Sequence, residues 1–508
     1  MNKSAEFRRV NWLAVLCLSL PWLVVQAASQ TPHLTPTHLR YKLIDLGTIG
    51  GPNSSEFASP IINSRGEITG GADTAEADPN APNCYNPDCF VTHTYRSGNG
   101  VLVDLGTLAG GFGSEGNGIN DKGQIAGQSL NGQIDPLLGV PEGIAALWQA
   151  DGQIVDLGTL GGNESLAATI NNRGQIVGGA ANSVPDIFPG PLGFWGTRTR
   201  AFLWEKGVMT DLGDLGGPDA FAIFVSERGD IAGVSYTSAI PDPTQTDCGQ
   251  NIPPQDPFLW ESGKMIDLGS LGGICGFVNG LNNSGQVIGQ SDLVGDLTAH
   301  PFLWDLKTTP HLQDLGTLGG SFGFATALND VGEVAGGANT QDDQELHAFF
   351  WRKGVMTDLG TIGDDTCSVV HSMNARGEVS GTSGDCAGEF ERHGFLWQPG
   401  GSMIDLNDFV PPGSELTVTD GETINDGGEI AGTGMLPNGD FHAIVLIPCN
   451  VEHGDSAGCQ DSGQGLNTVQ LRPVQKFTGA GSDARKLSTR ELVSRFLSGR
   501  HIPGGRRH

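Results

Sequence analysis

The 508-residue chain carries a formal charge of −29, with 78 Gly, 28 Pro and 38% hydrophobic residues. That acidity excludes nucleic acid as the partner of the main body, because a phosphate backbone demands a basic face. Abundant Gly with only 7% aromatic residues fits many short strands joined by tight turns and excludes an architecture of long helices.

Residues 1–28 read as a secretory signal peptide. Lys3, Arg8 and Arg9 make a basic start, residues 12–25 are mainly apolar, and Ala27, Ala28 and Ser29 offer small residues for cleavage. The apolar run contains Pro21 and falls short of the roughly 20 residues that a membrane span needs. The mature chain is therefore expected to have no span and to be exported: extracellular, periplasmic or cell-surface associated. Residues 29–40 read as a linker. Cleavage leaves eight cysteines, Cys84, Cys89, Cys248, Cys275, Cys367, Cys386, Cys449 and Cys459. An even set without zinc-site spacing reads as disulfides in an oxidising compartment. Pairing nearest neighbours gives four short loops, and the connectivity stays open.

From residue 41 to 448 a repeat dominates. An Asp-Leu element recurs at Asp45, Asp104, Asp156, Asp211, Asp267, Asp314, Asp358 and Asp405, every 44 to 59 residues. Between its copies come an element like Ile170-Asn171-Asn172-Arg173-Gly174-Gln175-Ile176-Val177 and one like Phe202-Leu203-Trp204. Each reads as a hairpin arm, and the Gly at 66, 123, 174, 229, 285, 332, 377 and 427 fits a turn position with positive φ. A unit thus holds four short strands, the size of a propeller blade. The array opens on a lone strand at 41–46 and closes on a lone strand at 442–446, elements that elsewhere share one hairpin. The expectation is all-β: a tandem-repeat β-propeller of eight four-stranded blades, closed by pairing of its first and last strands. A linear solenoid has no need of such complementary ends.

Asp156-Leu157-Gly158-Thr159-Leu160-Gly161-Gly162, the Ile170 to Gly178 segment and His347-Ala348-Phe349-Phe350-Trp351 together resemble the bacterial extracellular HAF-repeat family, over residues 41–447. The resemblance implies secretion and repeated structure, and no catalytic residue to carry over. Val225-Ser226 departs from the pattern, and Tyr95 and Leu446 are read as replacing its Trp.

A residue present in every unit is most economically part of every unit. The recurrent Asp is expected to accept backbone N–H bonds at a strand end rather than to form a calcium ring, and the Trp at 148, 204, 260, 304, 351 and 397 to pack between blades. His300, His347, His393 and His442 occupy one equivalent position and are read as strand caps, too far apart to share a metal. Gly319-Gly320-Ser321-Phe322-Gly323 and Gly111-Phe112-Gly113-Ser114-Glu115-Gly116 match nucleophile-elbow and dinucleotide patterns, but lie in Gly-rich repeat loops without the required helix. No catalytic or metal residue is nominated.

Function is sought where units differ. From the Gly that ends the second strand to the Trp position, the first four units span 25, 21, 26 and 27 residues and the last four 15, 15, 16 and 14. The excess is insertion at one loop class, on one face. Tyr85, Phe194, Trp195, Arg198, Arg200 and Tyr236 are the candidate ligand contacts, aromatic faces beside Arg that suit a sugar or peptide. Asp88, Asp135, Asp186, Asp242 and Asp247 give calcium as the one candidate cofactor, without a ligand pattern. The reading is a secreted, monomeric, non-catalytic scaffold that binds a glycan or protein through the insertion face of blades 1–4. The alternatives are a propeller-type polysaccharide hydrolase or lyase, and a structural envelope or matrix component. Residues 449–467 read as a Cys-containing Gly/Ser-rich linker, and 468–508 as a basic tail with a short amphipathic helix around Leu492, Val493, Phe496 and Leu497.

Overall fold

The computed structural model describes residues 40–54, 61–81, 84, 88–98, 100–186, 192–193, 195–242, 253–296, 298–305, 307, 309–386 and 392–449. The expected signal peptide, the expected linkers apart from Arg40 and Cys449, and the basic tail lie outside these residues. Among the described residues the regular elements are β-strands and two 3-10 turns, Gln341–Asp343 and Leu406–Phe409. No helix there is long and apolar enough to cross a membrane.

The described strands form eight antiparallel sets of four. Sheet 1 spans residues 61–104, sheet 2 114–156, sheet 3 161–211, sheet 4 220–267, sheet 5 272–314, sheet 6 319–360 and sheet 7 367–405, and in each the strands pair in chain order. Sheet 8 takes three strands from residues 417–448 and its fourth, Tyr41–Asp45, from the other end of the chain. Tyr41 pairs with Pro448 and Asp45 with Ile444. Single parallel bridges, Gln255 to Cys275 and Leu346 to Cys367, join sheets 4 to 5 and 6 to 7. First strands of successive sheets pack on one another, that of sheet 8 on that of sheet 1 included. The fold is all-β and propeller-like.

In seven of the eight sheets the first hairpin is organised by one Asn, and in sheet 4 by Ser226, whose Oγ accepts the Arg228 and Asp230 N–H groups. Asn171 Oδ1 accepts the N–H groups of Arg173 and Gln175, and its Nδ2 donates to Gln175 Oε1 at 2.8 Å and across the seam to the Ser226 carbonyl at 2.9 Å. The same donation to the next sheet runs from Asn63, Asn120, Asn282 and Asn374, and from Asn425 of sheet 8 to the Asn63 carbonyl of sheet 1 at 3.0 Å. Three residues after this Asn the backbone takes positive φ, where a side chain would clash with its own carbonyl. In the last unit that residue is Gly428 (φ 82°), not Gly427, because Asn425 sets the count.

Apolar side chains collect in the seams between sheets. Leu147 and Leu157 of sheet 2 meet Ala167, Ile176 and Phe202 of sheet 3, and Leu303 and Leu315 of sheet 5 meet Val334, Phe349 and Trp351 of sheet 6. The recurrent Trp residues belong to these seams, with Trp148 and Trp304 almost fully buried. Ladder register corrects one assignment. Gly70 pairs with Tyr95 as Gly289 pairs with Phe302, so Tyr95 stands in the Phe position and Ser97 falls where Trp is expected. Leu446 does replace Trp, opposite Ile430.

Disulfides join Cys84 to Cys89 and Cys367 to Cys386. Cys275 and Cys449 are also disulfide-bonded, whereas Cys248 and Cys459 lie outside the described residues.

Candidate functional site

The repeated polar residues form the background. The Oδ1 of every repeat Asp accepts the N–H two residues on: Gly47, Gly106, Gly158, Gly213, Gly269, Gly316 and Gly360 in seven units and Asn407 in the other. In five sheets the same carboxylate meets a His Nδ1 at 2.9 to 3.0 Å: His93 with Asp104, His300 with Asp314, His347 with Asp358, His393 with Asp405 and His442 with Asp45. Burial opposes ionisation there, yet the His and backbone bonds hold Asp45, Asp104, Asp358 and Asp405 below the usual carboxylate range. The Asp358 bond raises His347. These histidines bind the third strand to the fourth, and His93, which counting from a Trp position overlooks, belongs with them.

The first three insertions are continuations of the hairpin between strands two and three. Beyond a bulge, Ala77 re-pairs with Phe90, Ile134 with Pro141 and Pro185 with Thr197. Tyr85, Phe194 and Asp247 lie outside the described residues. Trp195 is 5% exposed and packs with Leu192, Phe221 and the fully buried Tyr236, so these aromatics fasten the third insertion to sheet 4 instead of standing open to solvent. Arg200 takes the His position of sheet 3 and is held by Asp211 at 3.0 Å and Asp214 at 2.5 Å. Of the four described candidates only Arg198 is exposed. The calcium candidates are dispersed: Asp135 caps the Leu137 and Leu138 amides of its own turn, and Asp88 accepts from Phe90 N and Asn53 Nδ2.

A pocket does open on the insertion side, between sheets 1 and 2. It is a small, partly open cavity of about 20 Å³, with Glu115, Gln128, Asp78, Thr92 and Ser114 supplying polar groups and Phe90, Phe112 and Leu130 apolar walls. Its origin is a missing side chain. In three other seams the residue opening the first strand reaches back to the preceding sheet: Glu164 accepts Gly143 N at 2.7 Å, Asp219 accepts Thr199 N at 2.7 Å, and Asn53 accepts Phe441 N at 2.9 Å. Register gives this position in sheet 2 to Gly113, and a Cβ added there would meet Leu130 in ordinary contact at 3.4 Å. The slot is vacant by sequence.

Glu115 is the second departure. Its register position carries Leu166, Phe221, Phe277, Phe324 and Val369 in sheets 3 to 7. Only 8% of Glu115 is exposed, and burial pushes its carboxyl up to about 7. Beside it, Asp73 accepts the Thr92 hydroxyl at 2.9 Å and is raised by burial and then by the Asp88 carboxyl from the disulfide-pinned first insertion. Burial likewise lifts Glu164 to about 8 and Asp219 to about 7, with Asp186 of the third insertion adding to the latter. The insertion side therefore carries a set of carboxyls whose proton affinity burial raises, and Glu115 is the one of them lining the pocket. Sequence reading passed over it because Glu115 lay inside a dismissed Gly-rich match.

No family model matches the chain, and no curated protein matches it significantly. Among solved structures it is similar to Porphyromonas gingivalis dipeptidyl peptidase 4 (11% identity, TM-score 0.45, 78% of this chain and 60% of that one). It is also similar to Pyrococcus horikoshii acylaminoacyl peptidase (10%, 0.39, 70% and 53%) and to TolB from Acinetobacter baumannii (11%, 0.31, 61% and 76%). The matched region spans between half and three fifths of the two peptidases' length.

Proposed function

We propose that the protein is an exported, non-catalytic scaffold of the HAF-repeat kind. Its eight sheets form one closed ring, and it binds a hydroxyl-rich glycan in the pocket between sheets 1 and 2. Closure is supported by the pairing of Tyr41–Asp45 with Phe441–Pro448 and by the Asn425 to Asn63 bond, which continues the inter-sheet series from the last unit to the first. The observation that carries the binding reading is the open slot at Gly113 with Glu115 in the same lining: polar groups among aromatic side chains, a composition that suits part of a sugar by stacking and hydrogen bonds.

The test is glycan-array screening of the mature chain, followed by calorimetry on the best ligand. Glu115→Gln and the slot-filling Gly113→Glu are expected to weaken binding about tenfold or more, the loss of a buried hydrogen bond. Unchanged affinity in both would remove the pocket from consideration. The raised carboxyl also suits a second reading, a glycosidase proton donor. Release of reducing ends from a bound polysaccharide, abolished in Glu115→Gln, would favour it over pure binding.

A further inference from the structure

The seam between sheets 7 and 8 breaks the repeat with residues that lie outside the pocket. The first strand of a sheet carries a bulge residue, namely Asn117, Ala168, Ile223, Asn279, Thr326, His371 and Glu422 in sheets 2 to 8. Where that residue is a plain hydrogen-bonder it donates to a backbone carbonyl of the next sheet: Asn117 to Ala167, Asn279 to Ala325 and Thr326 to Val370. His371 instead directs Nδ1 at Glu422 Oε2, 3.2 Å away. Asp420 completes the group from the position that is apolar in sheets 3 to 7.

One donor atom from each of His371, Asp420 and Glu422 lies within 4.8 Å of the others. Two ligands about 2.1 Å from a tetrahedral ion stand about 3.4 Å apart, so a small closure brings the set onto one ion. The Thr382 hydroxyl bonds to Asp420 Oδ1, the kind of outer contact that orients a carboxylate ligand. A separate sign of an unfilled polar seam is Ser380. Its residue is fully buried, its Oγ has no hydrogen-bond partner among the described residues, and its Cβ lies 3.3 Å from the place of a Cβ on Gly421, between the two acids. The Arg392 guanidinium and the His371 imidazole both favour the charged form of Asp420 here. His371 and Glu422 keep 14% and 13% of their side chains exposed, which leaves an entry. We propose that His371, Asp420 and Glu422 form a divalent transition-metal site of the zinc class, tying sheet 7 to sheet 8 and leaving a fourth position open to water or a ligand. One imidazole with two carboxylates is a borderline donor set that suits such an ion better than calcium, whose ligands are all oxygen.

The experiment uses the mature full-length chain stripped with a chelator. Zn2+ titration by calorimetry should give one site per chain, and Co2+ should produce visible absorption with an imidazole-ligated intensity. His371→Ala and Asp420→Asn should each weaken Zn2+ binding about a hundredfold, the scale of losing a ligand's contribution of a few kcal/mol. His347→Ala, which removes a surface His–Asp pair, should leave binding unchanged. Far-ultraviolet circular dichroism checks that the variants fold, and His371→Gln serves if the alanine variant does not. No Zn2+ binding by the wild type, or binding that survives folded His371 and Asp420 variants, overturns the site. Loss of binding in His347→Ala alone overturns it as well, by placing the ion on the surface pairs.

Discussion

The two faces of the sheet array differ in how they use the same repeat. On the first-hairpin side, Asn63, Asn120, Asn171, Asn282, Asn374 and Asn425 each donate to the next sheet, so the polar residue that makes the turn also makes the seam. On the insertion side, equivalent positions carry Asn53, Glu164 and Asp219, which accept a backbone N–H from the preceding sheet, Gly113, which leaves its slot open, and Cys275 and Cys367, which are disulfide-bonded. One face is specified by repetition and the other by exception. Stability should concentrate in the first and ligand recognition in the second.

The comparison can be broken from either side. The largest stability effect on the insertion side is expected from Cys367→Ser with Cys386→Ser, which opens a loop of sequence separation 19. The chain-entropy cost is about 3 kcal/mol, measurable by denaturant unfolding. On the turn side, Asn171→Ala removes two accepted and two donated hydrogen bonds at a buried site and is expected to cost about 2 kcal/mol. A cost near zero there would refute the seam role of the Asn series.

A third test uses pH. Glu115, Glu164 and Asp219 bind protons more tightly folded than unfolded. Their stabilising contribution is therefore complete below the unfolded carboxylate range and falls as pH rises through about 7 to 8. The melting temperature should decline as pH rises from the unfolded carboxylate range to about 8, and Glu115→Gln should make that decline shallower. Asp45 and Asp358 act oppositely, losing their contribution as pH falls through their lowered folded values. The smallest effect is expected from His347→Ala, below about 1 kcal/mol, because its Asp358 partner is 46% exposed and solvent screens the pair.

Much of this was legible in the chain. The Asp-Leu-Gly period gave the strand count and the turn glycines, because positive φ and a strand-end carboxylate impose identity at a fixed offset. The Asn series was written just as plainly, at the same offset before each turn Gly, but its reach into the next sheet is a long-range contact that no local pattern announces. Tyr95 was placed two residues out of register, because Ser97 rather than an aromatic stands at the Trp position. Gly113 could not be found by looking for chemistry, since its importance is the absence of a side chain that neighbouring units have. Trp195 was conspicuous in sequence for being outside the repeat and turned out to be buried, since an extended hairpin needs its own apolar anchor.

Tyr41–Asp45 is among the earliest described segments to leave the ribosome, and its partner strand, Phe441–Pro448, among the last. The His442 to Asp45 contact joins residues 397 apart in sequence. During synthesis the opening strand keeps an unsatisfied edge until its partner strand has been made. A chain cut short before residue 441 would keep that edge open, so completion of the eighth sheet serves as a built-in report that the strand at Phe441–Pro448 has been made.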